Sequence, residues 1–309
     1  MTDLYDLAII GGGPAGVAAG VYASRKQLKT IFIAKEFGGQ SIVSPDIQNW
    51  IGTTSISGND LAKNLEEHLK AYAGNIVDIE KGALVTKIEK KENHFVVNTD
   101  NDKSFEAKTV LIATGSTRRK LEVPGAKEFD NKGLTYCASC DGPLFADKDV
   151  AVIGGGNAAL ETVAQLLAYT KSVTLLNRSD NFKADEVTVK KVLENPKMTT
   201  VKNASIKEIK GDNFVNGLVY TDKDGKDVNL KIDGIFVEIG LIPTTDFVSD
   251  LVERNKYNQI IVDPKNQMSK TEGLWAAGDC TDGLYHQNNI AAGDAVKALE
   301  DIYMYIHAR

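Results

Sequence analysis

The 309-residue sequence predicts an α/β fold made of two similar domains, each with a β-rich extension. Three observations predict it. The length suits two domains of about 100–200 residues each. A strand, glycine turn and helix pattern is written twice: Gly154 stands 143 residues after Gly11, and Gly156 the same distance after Gly13. After each copy come short segments of alternating apolar residues bounded by turn residues.

In the first copy Tyr5–Ile10 reads as a buried strand, Gly11 to Gly16 as a turn, and the Ala- and Val-rich stretch that follows as a helix. Thr30–Ala34 is the next strand. Leu84–Ile88, Phe95–Thr99 and Thr109–Ala113 form the extension, which closes at Ala113-Thr114-Gly115. In the second copy Asp149–Ile153 leads into Gly154, Gly156 and Ala159, and Ser172–Leu176 is the second strand. Ser205–Ile209, Phe214–Thr221 and Val228–Glu238 follow, with Asp222–Lys226 as a hairpin turn, and the copy closes at Gly240–Pro243. A last helix fills about 291–307.

Composition narrows the function classes. Hydrophobic residues make up 42% and charged residues 25%, an ordinary soluble balance, and the formal net charge of -6 argues against nucleic acid or an anionic membrane as partner. No apolar run approaches the roughly 18 residues needed to span a bilayer. Met1, Thr2 and Asp3 lead almost directly into the first strand, without the basic start and apolar core of a signal peptide, so a cytoplasmic location is expected. The three cysteines, Cys137, Cys140 and Cys280, are too few for a disulfide framework.

Gly11-x-Gly13-x-x-Gly16, with Pro14 and Ala15 between, stands where a strand gives way to a helix. The first glycine permits the tight turn, the second lets a pyrophosphate approach the backbone, and the third lets helix and strand pack closely. Free N–H groups at the helix start then meet the phosphates. Glu36, twenty residues after Gly16, stands where an acid takes ribose hydroxyls; the rival reading is a solvated surface carboxylate. Gly154-x-Gly156-x-x-Ala159, with Asn157 and Ala158, is a second site of the same Rossmann-like kind, Ala being an accepted third member. Two such sites call for two dinucleotides, and FAD with a nicotinamide is the usual redox pair.

The second strand of the second copy ends at Asn177-Arg178-Ser179, with Lys183 beyond. No acid there repels a 2′-phosphate. Arg178 and Lys183 can meet one with charge, and Asn177 and Ser179 with neutral hydrogen bonds, so NADPH is expected over NADH. The alternative makes Arg178 and Lys183 plain exposed cations and gives Asn177 an NADH ribose. Cys137-Ala138-Ser139-Cys140 is the candidate reactive centre: one thiolate attacks a partner disulfide and the other resolves the mixed disulfide. Zinc is the rival, but it wants four ligands, no second CxxC exists, and His68, His94, His286 and His307 are scattered. Asp141 can serve as the acid for the departing thiol, or cap the helix that follows. Asp279, after Leu274–Gly278, can bind a ribityl hydroxyl, and Cys280 reads as a buried packing residue.

Taken together, Gly11–Gly16, Gly38-Gly39-Gln40, Asn49, Ala113–Gly115, Cys137–Asp141, Gly154–Glu161 and Trp275–Asp279 resemble the low-molecular-weight thioredoxin reductases over essentially the whole chain. The resemblance implies a nested order: an FAD-binding domain of residues 1–116 and 246–309, with a nicotinamide-binding domain of 117–245, carrying the CxxC, inserted in it. It implies FAD contacts at Gly39, Gln40, Asn49, Thr114, Gly115, Asp279, Gln287, Asn288 and Ala291. It also implies a homodimer, a large rotation of the inserted domain, Cys140 facing the flavin, Cys137 attacking thioredoxin, and Asp141 as acid.

Two features depart from that family. Its HRRxxFR phosphate motif stands here as Asn177–Lys183, with fewer cations, and His286 precedes Gln287 where Arg or Lys is usual. Phe37–Gln40, Cys140–Phe145, Lys183–Asp185, Gly234–Gly240 and Val252–Asn255 are similar to the reductase part of the larger, flavin-bearing component of alkyl hydroperoxide reductase. That likeness implies an alternative: an NADH-preferring reductase of a thioredoxin-like or glutaredoxin-like carrier in a peroxide-reducing pathway. The flavin-bearing component carries extra N-terminal thioredoxin-like domains, which this sequence lacks, so the expected electron acceptor is a separate protein.

Overall fold

A computed structural model describes residues 4–44 and 46–308, with Ser139 and Cys140 described in their backbone alone. Met1–Asp3, on which the expectation of no signal peptide rests, lie outside the described residues. The chain forms two compact units, one of residues 1–117 and 242–309, the other of 118–241.

The first unit opens with β1 (Leu4–Gly12), α1 (Pro14–Arg25) and β2 (Thr30–Phe37), then α2 (Gly58–Ala73), β3 (Val77–Lys81), β4 (Val85–Lys90), β5 (Phe95–Thr99) and β6 (Ser104–Ile112). The short strand β7 (Ser116–Arg118) leads out of it. In the second unit come β8 (Leu134–Thr135), α3 (Ala138–Asp141), β9 (Asp149–Gly154), α4 (Asn157–Leu166), β10 (Ser172–Asn177), α5 (Glu186–Leu193) and β11 (Met198–Lys202). They are followed by β12 (Ser205–Gly211), β13 (Val215–Thr221), β14 (Asp227–Lys231) and β15 (Gly234–Glu238). The strand β16 (Leu241–Pro243) leads back, and β17 (Leu274–Ala276) and α6 (Asn288–Ala308) complete the first unit.

The first sheet runs β3-β2-β1-β6-β5-β4, with β17 also on β6. Strand β6 forks: its start pairs antiparallel with β5, Ala107 opposite Phe95, while its end pairs parallel with β17, Ile112 opposite Ala276. The central strands are buried on both faces, which is why they read as unbroken apolar runs. Alternate residues feed separate cores. Leu7, Ile9, Phe32, Leu111 and Trp275 join α1, α2 and α6 in one. Ala8, Ile10, Ile31, Ile33, Val110 and Leu274 join Phe95, Val97 and Val248 in the other. Each such Leu, Ile or Phe contributes about 1.5–3 kcal/mol by leaving water.

The second unit repeats this core as an all-parallel sheet, β11-β10-β9-β15-β8. Its order matches β3-β2-β1-β6-β17, so β8 and β17 hold the same place. The antiparallel extension, β12-β13-β14, is a separate sheet. Among the segments that differ from the sequence reading, two bear on the sites. The stretch Val228–Glu238 is two strands, not one: at Asp233, whose N–H donates to Asp149 O at 2.7 Å, the chain leaves the antiparallel sheet for the parallel one. Strand β2 runs on to Phe37, placing Glu36 inside it with an exposed side chain.

Helix α1 lies directly on β1: a Cβ at Gly16 would sit 1.8 Å from the Gly11 carbonyl oxygen. Gly16→Ala is therefore expected to push helix from strand and cost about 1–3 kcal/mol. Thermal unfolding of the apoprotein checks this; an unchanged Tm would contradict the packing.

Candidate dinucleotide and disulfide sites

In both units the first glycine turns under a carbonyl at the end of the neighbouring strand. Gly11 has φ +120, and a Cβ there would meet Ala113 O at 2.2 Å; Gly154 has φ +157, and its Cβ would meet Glu238 O at 2.3 Å. The second glycines are different. A Cβ on Gly13 would find nothing nearer than Gly39 Cα at 4.0 Å, and one on Gly156 nothing nearer than Lys183 O at 3.9 Å, among the described residues. Internal packing therefore does not require either glycine. Both stand where a ligand's approach would.

The helix starts agree. Helices α2 and α5 have side-chain caps, Ser57 accepting from Asp60 N–H and Asp185 from the N–H groups of Val187 and Thr188. Helices α1 and α4 start at Gly13 and Gly156 with no side-chain cap, leaving first-turn N–H groups to an anion.

Around Gly13 the first unit gathers most residues expected there. Gly39 approaches Gly13 Cα to 3.5 Å by its would-be Cβ, and Gly278 lies between Ala15 and Ala291, its would-be Cβ 3.5 and 3.1 Å from theirs. Gln40 Nε2 donates to Ser116 Oγ and Asp279 Oδ2, each at 3.2 Å, while Gln40 Oε1 is buried without a partner among the described residues. His286 Nδ1 lies 3.5 Å from Asp279 Oδ1. Asn49 Nδ2 donates to Gln287 Oε1 at 3.2 Å, and Ser41 Oγ to Asn288 Oδ1 at 3.0 Å, tying the 39–51 segment to the start of α6. Thr114 Oγ1 donates to Thr244 O at 2.7 Å, and Gly115 has φ +63 with open space at its Cβ. The clear Gly13 cradle and the orphaned Gln40 oxygen, which wants an N–H, fit a flavin dinucleotide. Cys280 packs with its sulfur near Ala277 O at 3.4 Å, and burial pushes its thiol up to about 11, so it stays protonated.

In the second unit Asn157 and Ala158 are exposed at the start of α4, Ala159 is buried beneath it, and Arg178 and Lys183 are exposed beside the loop. Lys183 N donates to Gly155 O at 2.7 Å, so its backbone borders the cradle. Asn177 corrects the sequence reading. It is buried, and its Nδ2 donates to Ser179 O at 2.9 Å and Asn181 O at 3.1 Å, so the amide shapes the turn instead of reaching outward. Ser179 N–H in turn donates to Asn177 Oδ1 at 3.4 Å.

The Cys137–Asp141 segment begins just after β8. Asp141 does not cap the following turn by its side chain; Thr135 Oγ1 instead donates to Asp141 Oδ2, and also accepts from Cys137 N–H at 3.3 Å. The Cys140 side chain lies outside the described residues.

Glu238 is a residue that motif reasoning misses. It occupies the place of Ala113 in the other copy, and aligning the two copies exposes the acid. Thr162 Oγ1 donates to its Oε1 at 3.0 Å. Burial, against the opposing influence of Arg118, pushes its carboxyl up to about 7.

Two clear glycine cradles on matched βαβ units define a protein built for two dinucleotides. The chain belongs to the pyridine nucleotide-disulphide oxidoreductase family, which residues 5–295 match. It is 42% identical over 303 residues to an NADH dehydrogenase of Bacillus subtilis, and 38% identical over 306 residues to the F component of alkyl hydroperoxide reductase of Escherichia coli. Each alignment covers 98% of this chain but 58% of the relative, so the chain spans little more than half the length of either. Thioredoxin reductase from Streptococcus pyogenes superposes with TM-score 0.90 at 34% identity, covering 100% of both chains. Thioredoxin reductase from Giardia duodenalis gives 0.91 at 32%, covering 98% of this chain and 99% of that one. Family and neighbours together support a flavin-dependent disulfide oxidoreductase.

The raised Glu238 carboxyl has a stability consequence. The folded state holds this proton more tightly than the unfolded chain, so its contribution is complete below about pH 4.5 and is lost as pH rises to about 7. The loss amounts to about 3 kcal/mol. Glu238→Gln is expected to flatten this part of the stability profile and to be the more stable protein at pH 8. Denaturant unfolding at pH 5 and pH 8 checks it; parallel profiles for the two proteins would contradict it.

Proposed function

We propose that the chain is a thioredoxin-disulfide reductase, carrying electrons from NADPH through FAD and the Cys137–Cys140 disulfide to thioredoxin or a thioredoxin-like protein. The observation that carries this reading is the pair of second glycines, Gly13 and Gly156, left clear at uncapped helix starts. One cradle serves each dinucleotide, and the CxxC supplies the exit for electrons.

In this reading Gly11, Gly13, Pro14, Ala15 and Gly16 cradle the FAD pyrophosphate, and Glu36 takes ribose hydroxyls. Gly39, Gln40, Asn49, Thr114, Gly115, Asp279, Gln287, Asn288 and Ala291 surround the rest. The flavin supplies a two-electron relay when bound. Gly154, Gly156, Asn157, Ala158 and Ala159 hold the nicotinamide dinucleotide, with Arg178 and Lys183 as charges for a 2′-phosphate and Asn177 and Ser179 holding the turn that presents them. Cys137 attacks the carrier disulfide as a thiolate, Cys140 resolves the mixed disulfide, and Asp141 exchanges the proton. The working form is a cytoplasmic homodimer, by likeness to the same family.

A second reading is an NADH-preferring reductase of a thioredoxin-like or glutaredoxin-like carrier in a peroxide-reducing pathway. The likeness to the alkyl hydroperoxide reductase component and to the NADH dehydrogenase favours it.

Anaerobic titration of the flavin spectrum with each nicotinamide, and kcat/KM for each with a thioredoxin, separate the two. NADPH is expected to be preferred, and Arg178→Ala to cut its kcat/KM by about 10–100-fold while sparing NADH. A higher kcat/KM for NADH hands the case to the second reading; failure of both nicotinamides to bleach the flavin rejects both.

A further inference from the structure

We propose that Thr135 is a positioning residue for the proton that Asp141 exchanges with Cys137. This inference rests on the reading of Cys137, Cys140 and Asp141 given above.

Thr135 is the last residue of β8, buried, with its backbone paired to Phe236 of β15. That pairing fixes where its side chain starts. Its hydroxyl has one hydrogen to give and gives it to Asp141 Oδ2. The same oxygen accepts from Cys137 N–H at 3.3 Å. One hydroxyl thus joins the cysteine's backbone to the carboxyl four residues later. Helix α3 is a single turn, too short to hold a side chain in place by its own cooperativity. The neighbouring strand does that work through Thr135.

The chemistry needs such a hold. The nicotinamide gives up a hydride, which is an electron pair and one proton. The Cys137–Cys140 S–S bond breaks, and the second proton passes from the Asp141 carboxyl to the Cys137 sulfur. Two thiols and an Asp141 carboxylate result. The carboxylate is then met by the Thr135 O–H already aimed at it. When Cys137 attacks the carrier disulfide, its proton returns to Asp141. The Cys140 thiol then closes the ring while its proton goes to one departing carrier sulfur; the other carrier sulfur takes its proton from water. The cycle balances with Asp141 restored. A hydrogen bond donated to the carboxylate favours the charged form, so its loss makes Asp141 release its proton at higher pH.

A purely structural role is the competing explanation, because a Thr accepting from an N–H two residues on is also a common local turn. Three variants separate them. Thr135→Val keeps the shape and removes the hydroxyl, Thr135→Ser keeps the hydroxyl, and Asp141→Asn tests the acid itself. The measurements are the pH profile of nicotinamide-driven thioredoxin reduction, the rate of flavin reduction by the nicotinamide, and Tm.

Thr135→Val is expected to lower kcat by about 10-fold and to move the ionisation limb of the profile to higher pH, with flavin reduction unchanged. Thr135→Ser is expected to restore both kcat and limb. Should Val not fold, Thr135→Ala, which adds no bulk, is read against Ser in the same way. If Val or Ala keeps the wild-type kcat and profile while Asp141→Asn is impaired, Thr135 has no positioning role. A loss in Val that Ser does not restore also overturns the proposal. If Asp141→Asn is fully active, the acid assignment falls first, and if the wild type reduces no disulfide, the functional reading itself falls.

Discussion

The contact of Gly16 with the Gly11 carbonyl governs the first unit. It brings α1 down onto β1 so closely that no Cβ fits between them. The helix then starts at the end of the strand, with no side-chain cap at Gly13. In the second unit Ala159 takes the third place, its Cβ 2.8 Å from where one on Gly154 would sit, so the tolerance there is just as small. The first and third positions are thus shut to larger side chains, while a Cβ at the second would meet no neighbour closer than 3.9 Å among the described residues.

Two carboxyl groups of the second unit are each met by a threonine hydroxyl on a packed element. Thr162 on α4 holds Glu238, and Thr135 at the end of β8 holds Asp141. Both threonines are buried, and each replaces the hydrogen bond that water would otherwise give. The first unit has its polar residues arranged differently. Gln40, Ser116, Asp279 and His286 bond largely to one another around the Gly13 cradle, which suits a group held tightly and rarely released.

The two βαβ units were legible because their signal is steric and local: glycines at fixed spacing, apolar runs before them, and a constant offset between the copies. The lengths of β2 and of the β14–β15 stretch were not, because pairing partners far along the chain decide where a strand stops. Phe37 is held by register with Gly12, and Asp233 by Asp149. Among the candidate residues, Gln40 and Asp279 sit together as a hydrogen-bonded pair, although 239 residues apart. Asn177 could not be read correctly, because an amide at a strand end looks the same whether it turns out to a ligand or in to its own loop. Thr135 lies in no motif, and Glu238 lies in the Gly234–Gly240 segment without being singled out there. Only the parallel pairing of β15 with β8 and β9 shows what they face.

Strand β17 and strand β8 fill the same slot, one supplied by the returning chain and the other by the stretch ahead of its repeat. Whatever follows either strand emerges at the same corner of a nucleotide fold. In one copy that corner holds Gly278 and Asp279; in the other it holds Cys137, the nucleophile of the proposed reaction. The same socket of a repeated βαβ core thus presents different chemistry in each unit.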